Sequence, residues 1–294
     1  MDNYSTLRSY FGVSTYVTDT HQRNKLFFSS SLSNRINKDD EQQSNGEHKE
    51  NVAEEAEWLK WLNSKQNGSV LYVSFGSLNR VSDAQIVEQA HGLEQSGHSF
   101  MWVIRKKDEK DNEESFLQDF ERRMKKSKQG YIIWNWAPQP LIMKHPAIWG
   151  IVTHDGWNAV LQSLNVGLPM ITWPMFSEKF YNEKLIVDVL KIGVAVGAKE
   201  NKFWASMGEN AVVGREEIAK TVVQLMGKEE GRDMRRRARE LGDASKKSIE
   251  EGGSSYNNLI QLIDELKLLK INRARFMSFS LEPDEATVGW KHKV

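Results

Sequence analysis

Apolar and polar positions follow two different periods along the central part of the chain. Nearly continuous apolar runs bounded by polar residues or glycine predict buried β-strands. These runs occupy residues 69–75, 99–104, 131–134, 148–153 and 170–173. Between them, apolar residues recur every three or four positions, which predicts helices at 83–95, 156–166 and 178–191, among others. Strands that alternate with helices are typical of βαβ units, so the pattern predicts an α/β protein with a doubly wound, Rossmann-like parallel sheet.

The two ends of the chain lack this alternation. Residues 1–56 pass through a serine-rich stretch into a charged stretch nearly free of apolar residues, which cannot bury enough surface to offset chain entropy. Helical spacing continues after the strands, for example at 256–268, and the residues that follow have no clear period. We therefore expect a low-order tail or linker at 1–56, a packed domain at 57–270 and an irregular tail at 271–294.

Composition narrows the class of protein. Lys plus Arg and Asp plus Glu both number 40, so the formal net charge is zero, which argues against a nucleic-acid partner. The chain has no cysteine, which excludes disulfides, thiolate metal sites and a cysteine nucleophile. No apolar run approaches the roughly 18 residues of a membrane span, and the first residues lack the pattern of a secretory signal. A cytoplasmic protein with no membrane span is expected. The histidines share no metal-ligand spacing, so no metal site is expected either.

Two predicted strand ends carry candidate ligand-binding residues. In a doubly wound sheet, ligands bind beyond the carboxyl ends of the strands. The strand that ends at Thr153 leads through His154 into Gly156, Trp157 and Asn158, which open a helix whose N-terminal amides suit a phosphate. A second corner of this kind is Phe75-Gly76-Ser77. Neither corner has the G-x-G-x-x-G pattern or the P-loop pattern, so the residues themselves indicate a phosphate-bearing ligand and nothing narrower.

A longer series of motifs resembles a known family. The series consists of Trp136-Ala137-Pro138-Gln139, His145-Pro146, Thr153-His154-Asp155-Gly156-Trp157-Asn158, Gly167-Leu168-Pro169 and Trp173-Pro174. Its order and spacing resemble the signature box of plant secondary-product UDP-glycosyltransferases over residues 136–179, and the resemblance extends over about 57–269. It implies the C-terminal, donor-binding domain of a GT-B fold, with the N-terminal domain largely missing. It also implies a UDP-sugar as donor substrate, no cofactor, a small-molecule acceptor such as a triterpenoid glycoside, and a monomer.

The resemblance implies a set of UDP-sugar-binding residues. They are Ser77, Trp136, Ala137, Gln139, His154, Trp157, Asn158, Ala159, Gln162, Glu178 and Lys179. The indole of Trp136 would stack on uracil, with the Ala137 backbone and the Gln139 side chain on uracil and ribose.

The other members of the set would hold the diphosphate and the sugar. Ser77, His154 and Asn158 would contact the diphosphate, and Trp157 would lie near the sugar. Glu178 would accept hydrogen bonds from sugar hydroxyls.

Five positions depart from the family's pattern. Ala159 stands for a serine, Gln162 for a glutamate, Lys179 for a glutamine, Asp155 for a cysteine and Trp149 for a glycine. The first change removes a phosphate donor, the second weakens ribose contacts, and the third removes an acceptor. Each lost contact costs about 1 kcal/mol or more, so donor binding would weaken by roughly one to three orders of magnitude. We also expect the Trp149 indole to crowd its strand.

Several alternatives remain open from the sequence. His154 can be a structural histidine, Trp136 a core residue and Ser77 an ordinary helix cap. The arginine-rich stretch 232–239 is interpreted as a solvated helix face because glutamates flank it. No catalytic residue is assigned, since the family's histidine base lies in an N-terminal domain. The chain is therefore expected to be a UDP-glycosyltransferase, a truncated UDP-binding protein without turnover, or an unstable fragment.

Overall fold

The computed structural model describes residues 51–76, 81–105, 112–199, 212–227 and 229–279. Within these ranges the chain folds as alternating helices and strands around a six-stranded parallel sheet of order β3-β2-β1-β4-β5-β6. The strands are β1 (Val70–Ser74), β2 (Ser99–Ile104), β3 (Gly130–Trp134), β4 (Ile148–Thr153), β5 (Met170–Thr172) and β6 (Gly193–Ala195).

Helices lie between and after these strands. They are α1 (Asn51–Asn63), α2 (Asp83–Gln95), α3 (Asn112–Ser127), α4 (Gln139–Lys144), α5 (Trp157–Val166), α6 (Lys179–Lys184), α7 (Arg215–Gly227), α8 (Glu229–Ile249) and α9 (Ser254–Phe279). A π-helical turn, Leu185–Val189, continues α6. The predicted doubly wound α/β architecture is confirmed by this order of elements.

The sheet is buried on both faces, which explains why its strands are continuous apolar runs. In β1, Leu71 and Val73 point into one core cluster, and Val70 and Tyr72 into the other. Residues from α2, α3 and α7 cover the first face, and residues from α1, α4 and α5 cover the second. A parallel strand with helices on both sides has no solvated face, so the alternation of an amphipathic strand is absent.

Some elements differ from the sequence-based expectation. Strand β6 was not predicted, because three residues give too short a run to separate from the preceding helix. The predicted helix 178–191 is α6 followed by the π-helical turn. Helix α1 begins inside the segment that we assigned to the tail, and α9 continues to Phe279, past the boundary at 270. Good helix formers such as Ala and Arg allow this continuation without an apolar period. The division into three domains stays a prediction.

Two compact units make up the chain. The described residues of one unit lie between 51 and 247, with the gaps given above, and contain the six-stranded sheet. The described part of the other begins at Ser248 and consists mainly of helix α9. The predicted donor-site residues that the structure describes belong to the first unit.

Candidate functional site

The carboxyl ends of β1 and β4 mark the point where the strand order reverses. Strand β1 pairs with β2 on one side and with β4 on the other. The chain proceeds from β1 towards β3 on one side of this point and from β4 towards β6 on the other. The loops that leave β1 and β4 therefore diverge, and a crevice at such a switch point is where doubly wound proteins bind ligands.

The two predicted corners meet at the imidazole of His154. A Cβ built on Gly76, after β1, would lie 2.7 Å from His154 Cε1, and one built on Gly156, before α5, would lie 2.4 Å from Nε2. Both distances are shorter than real Cβ contacts, so each corner needs a residue without a side chain. Gly76 also has φ +73°, a conformation that glycine adopts readily. Both corners thus face one site, with His154 between them.

His154 is held in its neutral form. Burial lowers the pKa of its imidazole to about 4, and the nearby charge of Lys179 acts in the same direction. The ring atom Nδ1 is buried and has no hydrogen-bond partner in the described part of the chain. At neutral pH the ring is therefore uncharged and carries one N–H donor.

Asp155 is a second unusual group at this corner. Its side chain is fully buried, its φ is +62°, and neither carboxyl oxygen has a hydrogen-bond partner among the described residues. Burial raises the pKa of this carboxyl well above its usual value, and the charge of Glu183 raises it further. The backbone carbonyl of Asp155 accepts a 2.8 Å hydrogen bond from Asn182 Nδ2, which ties α6 to the corner.

The first turn of α5 points its amides towards the same crevice. Gly156 is the N-cap of this helix and provides no side-chain cap. The next residues are Trp157, which is half-buried, then Asn158, which is exposed, and Ala159, which is half-buried. The helix has ten residues and no side-chain cap, and N-terminal amides of this kind are suited to an anion.

Polar side chains also connect the nucleoside part of the predicted site. Gln139, at the start of α4, donates from Nε2 to Oε1 of Gln162 on α5 over 2.8 Å. Its own Oε1 accepts from Oγ of Ser74, at the end of β1, over 3.3 Å. Trp136 and Ala137 lie in the loop between β3 and α4, where the indole is 57% exposed and Ala137 packs against the core. Sequence reasoning missed Ser74, although a polar residue at a strand end is the signal that could have found it.

Lys179 and Glu178 form an ion pair where α6 begins. Lys179 Nζ lies 3.2 Å from Glu178 Oε1 and 3.8 Å from the centre of the Phe176 ring. The lysine side chain is 8% exposed and the glutamate 58%. The lysine charge is therefore occupied by two partners within the chain.

The expected crowding at Trp149 agrees with an irregularity in β4, because Val70 pairs with Ile148 and Leu71 with Gly150, so the register with β1 shifts across Trp149. Its indole leaves the strand, donates from Nε1 to the Leu225 carbonyl over 3.0 Å, and lies against Gly68. Of the predicted donor-site residues, Ser77 lies outside the described residues. The others lie in loops and helix starts that follow the carboxyl ends of β3, β4 and β5, and Gln162 lies one turn into α5.

Together the fold and the crevice define a doubly wound α/β protein with a glycine-lined corner suited to a phosphate. Residues 34–214 match the family model described as UDP-glucoronosyl and UDP-glucosyl transferase, and the chain belongs to that family. The resemblance seen in the sequence is therefore confirmed.

Known relatives agree with this family and fold. The chain is 58% identical over 219 residues to soyasapogenol B glucuronide galactosyltransferase of Glycine max, a match that covers 74% of this chain and 43% of the relative. The crystal structure of UGT73P12 of Glycyrrhiza uralensis, complexed with glycyrrhetinic acid 3-O-monoglucuronide, is 50% identical with a TM-score of 0.70. That match covers 77% of this chain and 47% of the other.

A third comparison involves a bound donor. UGT71G1 of Medicago truncatula, complexed with UDP-glucose, is 32% identical with a TM-score of 0.62, over 72% of this chain and 43% of the other. These structural neighbours are GT-B glycosyltransferases, which confirms the predicted fold class. The chain spans less than half the length of each of these relatives.

Neither a metal centre nor a membrane helix is found in the described part of the chain. No group of three or more histidine, aspartate or glutamate side chains there could hold a metal ion. No helix in those ranges has the length and apolar character needed to cross a bilayer.

Proposed function

We propose that the chain binds the UDP part of a sugar nucleotide in the crevice beyond β1 and β4. The observation that supports this most strongly is the meeting of two glycine corners at the His154 ring. A diphosphate needs several donors at close range, and glycine lets the backbone approach it. This crevice offers the amides of α5, the imidazole of His154 and the side chain of Asn158 in one place.

The charge state of His154 defines how the diphosphate would be held. Because the pKa of the imidazole is lowered to about 4, the ring donates a hydrogen bond as a neutral group at pH 7. Stabilisation of the leaving diphosphate then comes from aligned donors and the dipole of α5, with little contribution from a histidine charge. Ser77, the next residue in the sequence after Gly76, is proposed as a further donor.

Uracil and ribose would occupy the side of the crevice near α4. The Trp136 indole has 57% of its surface exposed, which leaves area for a base to stack. Gln139 and Ala137 would contact uracil and ribose. Gln162 would contact the ribose through an amide that already accepts from Gln139.

The sugar would lie near Trp157, Glu178 and Lys179. Glu178 is exposed and can accept hydrogen bonds from hydroxyls, although its partner Lys179 competes for the same oxygen. Ala159 offers no side-chain donor, so this part of the site is weaker than the usual pattern.

The reaction proposed for the protein is transfer of the sugar to a small hydroxylated acceptor. The bond between the anomeric carbon and the diphosphate oxygen breaks, and UDP leaves with the electron pair. The acceptor oxygen forms the new bond, and its proton goes to a base that none of the described residues is assigned to supply. The relatives that are 58% and 50% identical to this chain are each named with a triterpenoid glucuronide, which supports a triterpenoid glucuronide as acceptor class. A monomeric state and a cytoplasmic location remain predictions from the sequence.

Calorimetry with UDP tests the binding proposal. The wild type should bind UDP, and His154→Ala should weaken binding about tenfold through loss of one charge-assisted hydrogen bond. His98→Ala is the matched control. His98 is also half-buried, but it lies just before the amino end of β2, whereas His154 follows the carboxyl end of β4. Equal affinity of wild type and His154→Ala, or no heat with millimolar UDP, would refute the proposal.

Binding without transfer is the second candidate function. The observation in its favour is the Lys179–Glu178 ion pair, which occupies the carboxylate proposed for the sugar hydroxyls. Labelled UDP-galactose and UDP-glucose, incubated with a soyasapogenol glucuronide, distinguish the two candidates. Transfer above the no-protein control supports the enzyme. Its absence, in a preparation that binds UDP, supports the binding protein.

A further inference from the structure

A cavity of about 330 Å³ lies beside helix α8, away from the crevice. Its lining comprises Trp149, Arg232, Arg235, Arg236, Arg239, Glu240 and Asp243, and we call it the arginine pocket. The four arginines are spaced at i, i+3, i+4 and i+7, so they share one face of the helix. This face was interpreted from the sequence as solvated, and Arg232, Arg236 and Arg239 are indeed exposed, while Arg235 is half-buried against the Trp149 indole.

The arginine pocket is separate from the donor crevice. Trp149 is the second residue of β4, whereas His154 follows the carboxyl end of the same strand. Five residues of extended chain span about 16 Å. The arginine pocket therefore lies near the amino ends of the strands and the donor crevice beyond their carboxyl ends. A ligand in one site does not contact the other.

Backbone contacts fix the wall of the pocket. The Arg235 guanidinium stacks 4.6 Å from the centre of the Trp149 ring and donates to the carbonyls of Trp149 and, over 3.1 Å, Ile148. Trp149 Nε1 donates to the Leu225 carbonyl over 3.0 Å, and the indole fits because Gly68 has no side chain, where a Cβ would lie 2.9 Å away. The indole and one guanidinium are thus held in place before any ligand binds.

The positive charge in the pocket is only partly balanced. Arg236 pairs with Asp233 at 3.6 Å and with Glu240 at 2.8 Å, and Asp243 pairs with Lys246 at 3.3 Å. The ion pairs found in the described ranges include neither Arg232 nor Arg235 nor Arg239.

Among these arginines, Arg235 is the one whose guanidinium is partly buried. Its Nε is buried without a hydrogen-bond partner among the described residues. Burial lowers the pKa of its guanidinium to about 10, and the charge of Arg239 acts in the same direction. Like charges one turn apart destabilise a helix, so a bound anion would reduce the repulsion between these guanidinium groups.

We propose that the arginine pocket is a binding site for a small, multiply charged phosphoryl anion. Guanidinium groups match phosphate oxygens with paired N–H donors, and arginine stacked on an aromatic ring is a favoured arrangement at such sites. The volume of the pocket exceeds that of a single phosphate and accommodates pyrophosphate or a phosphate ester. Inorganic pyrophosphate and a sugar phosphate are two sources of this chemistry.

Calorimetry with inorganic pyrophosphate and with glucose 1-phosphate tests the proposal. The donor crevice also attracts phosphate, so the titrations are done in a His154→Ala background and, as a second arm, on wild type saturated with UDP. The test variant is Arg232→Gln/Arg239→Gln, because both arginines are exposed and neither bonds the backbone of β4. The control is Lys247→Gln, which removes a charge from the same helix outside the pocket.

The expected result is one binding event that survives His154→Ala and Lys247→Gln. The double arginine variant should lose at least about tenfold in affinity, and the tighter of the two probes identifies the source. Absence of binding to the parent protein at millimolar probe overturns the proposal. So does an equal loss in Lys247→Gln at about 0.15 M salt, because that would mean a diffuse charge effect.

Discussion

The contact between Gly156 and His154 allows a direct test of the crevice geometry. A Cβ on residue 156 would lie 2.4 Å from His154 Nε2. Nonbonded heavy atoms approach to about 3.5 Å, so Gly156→Ala creates an overlap of about 1 Å. The ring also lies against Gly76, where a Cβ would be 2.7 Å away, which limits how far the ring can turn.

The cost of this substitution can be divided into two parts. To relieve the overlap, the imidazole must leave its rotamer by roughly 30°, which costs about 0.5–1.5 kcal/mol. Alanine in place of glycine at the N-cap of α5 adds about 0.5–1 kcal/mol. Only the rotamer cost depends on the presence of the His154 ring. Gly156→Ala should therefore destabilise the protein by about 1–2.5 kcal/mol, with a coupling to His154→Ala of about 0.5–1.5 kcal/mol.

Urea unfolding of the wild type, both single variants and the double variant measures this coupling. Gly97→Ala combined with His154→Ala is the control cycle, because a Cβ on Gly97 meets nothing within 4 Å. That cycle should be additive within about 0.5 kcal/mol. If Gly156→Ala and His154→Ala were equally additive, the ring would not lie between the two corners and the proposed diphosphate site would lose its basis.

Three further predictions concern the same crevice. Asp155→Asn should be more stable than the wild type by a margin that grows as pH rises above about 4, by at most about 1.4 kcal/mol per pH unit. The reason is that the pKa of Asp155 is raised in the folded protein, so the stabilising contribution of this carboxyl is lost with rising pH. Unfolding free energies of the two proteins that follow pH in parallel would contradict this. Trp136→Ala should cost less than about 0.5 kcal/mol of stability, since Trp136 is 57% exposed, but should weaken UDP binding about tenfold or more. The control is Leu141→Ala, which should leave UDP affinity unchanged although Leu141 is similarly exposed, at 55%. Lys179→Gln should release Glu178 and strengthen binding of UDP-glucose relative to UDP in calorimetry, and an equal change for both ligands would show that Lys179 does not act on the sugar.

The parts of the fold predicted from the sequence are those with a strong period. The strands at 69–75 and 148–153 are recognisable because a strand buried on both faces must be apolar throughout. Strand β6 was missed because its three residues join a sheet edge through β5, a contact that no local pattern encodes. The end of α9 was missed for a related reason: a helix can continue on propensity after its apolar period has ended.

The candidate site shows a similar division. Sequence reasoning identified the residue types of both corners, since glycine at a strand end allows a tight turn or a close approach of the backbone to a ligand. It did not predict that both glycines would contact one imidazole, because that depends on β1 and β4 being neighbours in the sheet. It also described Lys179 only as a lost acceptor. Its burial against Phe176 and its pairing with Glu178 arise from three-dimensional packing.

The two anion sites that we propose should respond differently to salt, because their charges differ. In the crevice, His154 is neutral at pH 7 and the Lys179 charge is paired with Glu178, so attraction for UDP depends on amides, a helix dipole and stacking. The arginine pocket instead contains three guanidinium groups outside the ion pairs of the described chain. Screening shortens from about 10 Å at 0.1 M to about 3 Å at 1 M salt and acts mainly on exposed charges. Over that range the affinity for UDP should change much less than the affinity for pyrophosphate. If both fell in parallel, the crevice would have to hold UDP by net charge, and a neutral His154 could not be part of the explanation.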